Sequence, residues 1–192
     1  MRDNEHIKKA RIVIVDDQEP NVRLLERLLA QAGYHNTVGT TDPTAVVGLF
    51  DECEPDLILL DLLMPGMDGF AVMQELTKRV GESTYLPILV LTADVTSEAK
   101  LRALSMGARD YLTKPFDHAE ALLRIRNLLE TRVLHLQLRD QNEYLEERVR
   151  ERTIELQEKL EGATRAAEHR RMLLSQLAVE QAATWGEKAA NE

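Results

Sequence analysis

RIVIVDDQEPNVRLLERLLAQAG, residues 11–33, reads as one complete structural unit. Arg11 to Val15 is an almost uniformly apolar run, two carboxylates follow it, and Pro20 marks a helix start. Val22, Leu24, Leu25, Leu28 and Leu29 then recur at helical spacing until Gly33 ends the pattern. A strand with no polar alternation is covered on both faces, which is the situation of a parallel sheet sandwiched between helices. The unit repeats along the chain: further strands are expected at His35–Thr40, Leu57–Leu60, Pro87–Thr92 and Arg109–Leu112. Helices are expected after Asp42–Pro43, from Asp68 to Val80, from Ser97 to Met106 with Gly107 as the stop, and from about Asp117. The fold class is therefore α/β, with five strand–helix units.

The chain has 192 residues, more than one ordinary domain of about 100–150 requires and too few for two comfortable ones. Its formal net charge of −9, with 24 basic against 33 acidic residues, disfavours nonspecific nucleic-acid or anionic-membrane binding. A single Cys excludes an internal disulfide framework and a multi-Cys zinc site, and no secretory or membrane-spanning pattern opens the chain. A cytoplasmic protein is expected.

In an open parallel sheet the ligand site lies at the carboxyl ends of the strands. Those ends carry Asp16 and Asp17 after the first strand, Asp61 after the third, Thr92 after the fourth and Lys114 just after the fifth. Each alone has a plain reading: a helix cap, a strand end, a solvated charge. Their joint placement on one edge does not. Carboxylates about 4 Å apart repel by on the order of 4 kcal/mol per pair at an effective dielectric of about 20, so the edge demands a counter-ion. An all-oxygen ligand set without His or Cys selects a hard cation, and few carboxylates with open positions favour Mg²⁺. A lysine and a hydroxyl beside it form an electrophilic clamp for a phosphoryl group, and one carboxylate can be the nucleophile that forms an acyl phosphate.

VDDQEP at 15–20, LLDLLMPGMDG at 59–69, VLTAD at 90–94 and DYLTKPF at 110–116 together resemble the receiver domains of two-component response regulators, over about residues 11–130. The resemblance implies a flavodoxin-like (βα)5 fold with strand order 2-1-3-4-5. It makes Asp61 the phospho-acceptor, with Asp16, Asp17 and the backbone carbonyl of Leu63 as further Mg²⁺ ligands. Lys114 is expected to pair with the phosphate, Thr92 to donate its hydroxyl, Tyr111 to act as the aromatic that turns inward, and Lys114–Pro115 to be a cis peptide. A sensor histidine kinase is the implied partner, and the chain is expected to be a regulator rather than an enzyme.

After residue 117 the chain has no further proline, and Glu, Arg, Leu, Gln and Ala dominate, which favours one long helix. A heptad register places Leu128, His135, Asn142, Val149 and Leu156 at position a, with Thr131, Leu138, Leu145 and Arg152 at d. Beyond it, Leu160, Ala163, Ala167, Arg170, Leu174 and Leu177 continue the ladder only across a four-residue stutter. From 117 to 177 such a helix would extend roughly 90 Å, so a partner is expected, and Asn142 at an a position points to a parallel homodimer. Through residue 130 there are 14 basic and 21 acidic residues, a balance of −7; after it there are 10 and 12, a balance of −2. The expected organisation is an arm at 1–10, a receiver at 11–130, a coiled coil at 131–177 and a frayed tail at 178–192. Residues 128–156 resemble the connector that follows the receiver in HD-GYP cyclic-di-GMP phosphodiesterase regulators. That resemblance implies an output domain outside this chain; the other reading is a dimeric interaction scaffold in which phosphorylation is incidental.

Overall fold

The computed structural model describes residues 7–80, 84–93 and 96–190, with side chains through 176. Five strands form one parallel sheet: β1 Ile12–Val15, β2 Thr37–Thr40, β3 Leu57–Asp61, β4 Ile88–Thr92 and β5 Asp110–Thr113, in the order β2-β1-β3-β4-β5. The helices between them are α1 Glu19–Gln31, α2 Val46–Cys53, α3 Gly69–Arg79, α4 Ser97–Ser105 and α5 His118–Ala190. This is the expected flavodoxin-like order, followed by a long C-terminal helix.

The uniform apolarity of the central strands follows from two cores, one on each face of the sheet. Ile12, Ile14, Leu57, Leu59, Leu89 and Leu91 point to one side, against Leu25 and Leu29 of α1 and Ile125, Leu128 and Leu129 of α5. Val13, Val15, Ile58, Leu60, Ile88 and Val90 point to the other, against Val46, Val72, Met73, Leu76 and Ala103. Truncating a fully buried residue to Ala, Leu59 in the first layer or Leu60 in the second, costs about 2–5 kcal/mol.

The elements shift where edges and caps compete with hydrophobic pattern. Strand β2 begins two residues later than expected, at Thr37: the ladder with β1 opens on the bond that the Asn36 carbonyl accepts from the Ile12 amide, and the Asn36 side chain donates to the Lys9 carbonyl. Asp42 does cap, accepting from the Thr44 amide, but the turn it starts is a 3-10 helix, Pro43–Ala45, before α2. Leu24, expected on the buried stripe of α1, is 37% exposed. Strand β5 runs one residue further than expected, so that Lys114 follows it directly and its amide donates to the Thr92 carbonyl at 2.8 Å.

The chain divides into two compact units, Met1–Leu138 and Arg139–Glu192. In the first, α5 reaches well past residue 130. Arg132 donates to the Tyr85 carbonyl and lies 3.6 Å from Asp56, while the His135 ring stacks on Tyr85 at 4.3 Å. Leu128, placed in the coiled-coil seam by the heptad reading, is buried in the core beneath the sheet, where a second helix cannot reach it. His135 likewise faces Tyr85. The second unit is helical through Ala190, and ion pairs run along it from Arg139 to Glu143, Arg148 to Glu151 and Lys159 to Glu155. Leu177 and the tail at 178–192 lie outside the residues whose side chains are described. Among the described residues, no helix is long and apolar enough to cross a membrane.

Candidate functional site

Because β1, β3, β4 and β5 run in the same direction, their ends bring Asp16, Asp17, Asp61, Thr92 and Lys114 to one edge of the sheet. Asp16 is fully buried. Its Oδ1 accepts from the Gln18 amide at 3.0 Å and from Asn21 Nδ2 at 2.9 Å, and its Oδ2 accepts from Lys114 Nζ at 2.6 Å. Asp61, 4% exposed, takes the same ammonium on Oδ2 at 2.6 Å and the Leu63 amide on Oδ1 at 3.1 Å. Lys114 thus bridges the two buried carboxylates. Burial pulls the Lys114 ammonium down, but the hydrogen bonds to Asp16 and Asp61 and their negative charges outweigh it, and its pKa is raised.

One carboxylate oxygen from each of Asp16, Asp17 and Asp61 lies within 4.8 Å of the others. Asp17 Oδ1 is buried and has no hydrogen-bond partner. A buried acceptor left unsatisfied costs about 1–3 kcal/mol, and three carboxylates against one lysine leave two negative charges uncompensated. The donor set is all oxygen. These residues fit a small, hard divalent cation.

The loop after β3 is held by Gly69. A Cβ there would stand 2.4 Å from the Asp61 carbonyl oxygen and 2.7 Å from Leu62 Cα, so the first turn of α3 lies directly against the backbone of the acidic residue. Asp68 caps that turn by accepting from the Ala71 amide at 2.8 Å. Thr92 is buried at the end of β4. Tyr111, on β5, packs its half-buried ring against the second core with Lys100 Nζ 4.1 Å from its centroid. Lys114–Pro115 is cis.

Asn21 escaped the reading of the sequence. Its signal is modest: an amide in the first turn of a helix, five residues after Asp16, among positions that otherwise alternate between charge and apolar bulk. Beside it opens a cavity of about 440 Å³, lined by the polar Asp16, Asn21, Lys114 and His118 and the apolar Leu24, Leu25, Pro115 and Phe116.

Fold and edge together define a class: a flavodoxin-like α/β domain with an acidic pocket and a bridging lysine at the carboxyl edge of its sheet. Residues 12–126 match the response regulator receiver domain family, and the chain belongs to it. It is 39% identical over 130 residues to the response regulator PleD of Caulobacter vibrioides, a match that covers 68% of this chain and 28% of that protein. It is 36% identical over 123 residues to the probable transcriptional regulator ycf27 of Porphyridium aerugineum, covering 64% of this chain and 49% of that one. The chain therefore spans less than half the length of these relatives. Among solved structures, the receiver domain of the Francisella response regulator 1452 superposes with a TM-score of 0.58 at 27% identity, covering 65% of this chain and 99% of that domain.

Proposed function

We propose that this receiver accepts a phosphoryl group on Asp61 from the phosphohistidine of a sensor kinase in the cytoplasm. The observation that carries the reading is the single ammonium of Lys114 shared by Asp16 and Asp61, beside an unpartnered buried oxygen of Asp17. An Asp61 carboxylate oxygen attacks phosphorus, the P–N bond breaks, and its electron pair leaves on the imidazole nitrogen; the product is an acyl phosphate. Asp16, Asp17, Asp61 and the Leu63 carbonyl are the groups that would hold Mg²⁺, which supplies charge neutralisation for the phosphoryl oxygens. Lys114 transfers one of its hydrogen bonds from Asp61 to the phosphoryl group, and the Thr92 hydroxyl donates another. The 440 Å³ cavity, lined by Lys114 and by the apolar Leu24, Leu25 and Phe116, gives the partner's imidazole a place beside the lysine that holds Asp61.

The added charge, about −1.5 to −2, shifts an existing equilibrium in which Thr92 and Tyr111 take part. Helix α5 carries that change out of the receiver into a homodimeric coiled coil. The output is a domain outside this chain, of the HD-GYP phosphodiesterase type.

Treatment with Mg²⁺ and a small acyl-phosphate donor tests the acceptor. Wild-type protein incorporates phosphate and Asp61→Asn does not; equal incorporation by both proteins refutes the assignment. The scaffold reading predicts that phosphorylation leaves both the mass and the hydrogen exchange of residues 117–177 unchanged.

A further inference from the structure

Six large apolar side chains on α5 expose more than half of their surface with a regular spacing: Leu134 at 64%, Leu138 at 56%, Leu145 at 55%, Val149 at 65%, Leu156 at 55% and Leu160 at 68%. The intervals alternate between four and seven residues. They form two series, 134-145-156 and 138-149-160, each with a period of eleven. Eleven residues in three turns is about 3.67 per turn, against 3.5 for a heptad. Gln141 and Arg152 fill the third position of each repeat. The same count continues through Ala163, Ala167, Arg171 and Leu174 with no stutter, whereas the heptad register needs one after Leu156 and brings Asn142 into the seam. Tyr144 flanks the stripe beside Leu145, and the exposed Ile154 stands outside it.

We propose that this stripe pairs in parallel with the same stripe of a second copy of the chain, in an eleven-residue register with a straight to right-handed supercoil. The inference rests on the reading of α5 as the element that carries the signal out of the receiver. A second copy is the occupant because a parallel two-fold pair sets every layer against itself, leucine on leucine and Gln141 on Gln141. At roughly 100 Å² per side chain, six residues on each of two helices bury about 1,200 Å², the lower edge of specific interfaces. Leu123 stands eleven residues before Leu134 and is 60% exposed, so the period enters the receiver part of α5. A parallel pair sets it against its own copy; an antiparallel pair centred on Glu147 sets it against Arg171. Arg152, whose like charge would weigh against a parallel layer, is already paired with Glu155 on its own helix.

The test is disulfide trapping of the full chain in a Cys53→Ser background, with sedimentation to give the mass. Dimer mass is expected, together with cross-linking of Leu134→Cys and Gln141→Cys faster than Asn142→Cys by about fivefold or more, since only facing Cβ atoms reach bonding distance. Equal or faster cross-linking of Asn142→Cys overturns the eleven-residue register. Cross-linking of Leu134→Cys only when mixed with Leu160→Cys overturns the parallel arrangement, and a monomer overturns the proposal. Leu145→Asp combined with Leu156→Asp is expected to give a monomer with an unchanged receiver melt. Phosphate incorporation at Asp61, measured on the same proteins, separates the two readings: its loss in a cross-linked dimer counts against the phospho-acceptor alone.

Discussion

At the scale of single residues the site is an arrangement of charge, and Lys114 is its centre. With its pKa raised in the fold, the ionised lysine contributes stability in full below the ordinary lysine value of about 10.4. That contribution is lost as pH rises through the elevated folded value. Lys114→Met leaves two buried carboxylates without their cation and is expected to cost on the order of 3 kcal/mol at neutral pH. The gap between wild type and variant in urea melts should then narrow above about pH 10.4; a gap that is constant from pH 7 to 11 would remove the electrostatic account. Asp17 makes the complementary case. Mg²⁺ at 100 times its dissociation constant should stabilise the wild type by about 2.7 kcal/mol, and Asp17→Asn should abolish most of the response. Melting of the wild type that ignores Mg²⁺ would speak against the cation site.

At the scale of elements, the local turn matters as much as the strand that precedes it. Gly69 lets α3 start against the Asp61 backbone, so Gly69→Ala must push the helix or the loop away. A loss of about 1–3 kcal/mol is expected, with slower phosphate incorporation at the displaced Asp61; unchanged stability and rate would show that the contact is dispensable. The strands and the acidic edge were legible because both depend on a chain-local code: apolar runs such as Ile12–Val15 and Leu57–Leu60, each followed by its carboxylate. Asn21 was not legible, because its partner Asp16 meets it only once the first turn of α1 folds back over the strand end. Nor was the 37% exposure of Leu24, which depends on where α1 lies against the sheet and not on helical spacing. The exit of α5 was legible only in part, for a related reason. Leu128 fits a heptad in the sequence yet is buried in the core, and the exposed His135 stacks on the Tyr85 ring.

At the scale of the whole molecule, the end of the receiver is a question of energy. A boundary at residue 130 keeps Leu128 and Leu129 but removes Arg132, Val133 and His135. Arg132 holds the Tyr85 carbonyl, a charged hydrogen bond worth about 1.5–3 kcal/mol, and the His135–Tyr85 stack adds roughly 0.5–1.5 kcal/mol. Arg109, with its guanidinium carbon 4.7 Å from the Tyr85 centroid, keeps its own contact with the ring whichever boundary is chosen. A chain ending at Leu138 is therefore expected to melt as the receiver of the full protein does, while one ending at Glu130 loses about 2–4 kcal/mol. Both retain Asp16, Asp61, Thr92 and Lys114, so both should still incorporate phosphate. Neither keeps Leu145, Val149, Leu156 or Leu160, so both should sediment as monomers. Equal stability of the two chains would place the end of the receiver at residue 130, and reduce the contacts of Arg132 and His135 to decoration on a helix that has already left the domain.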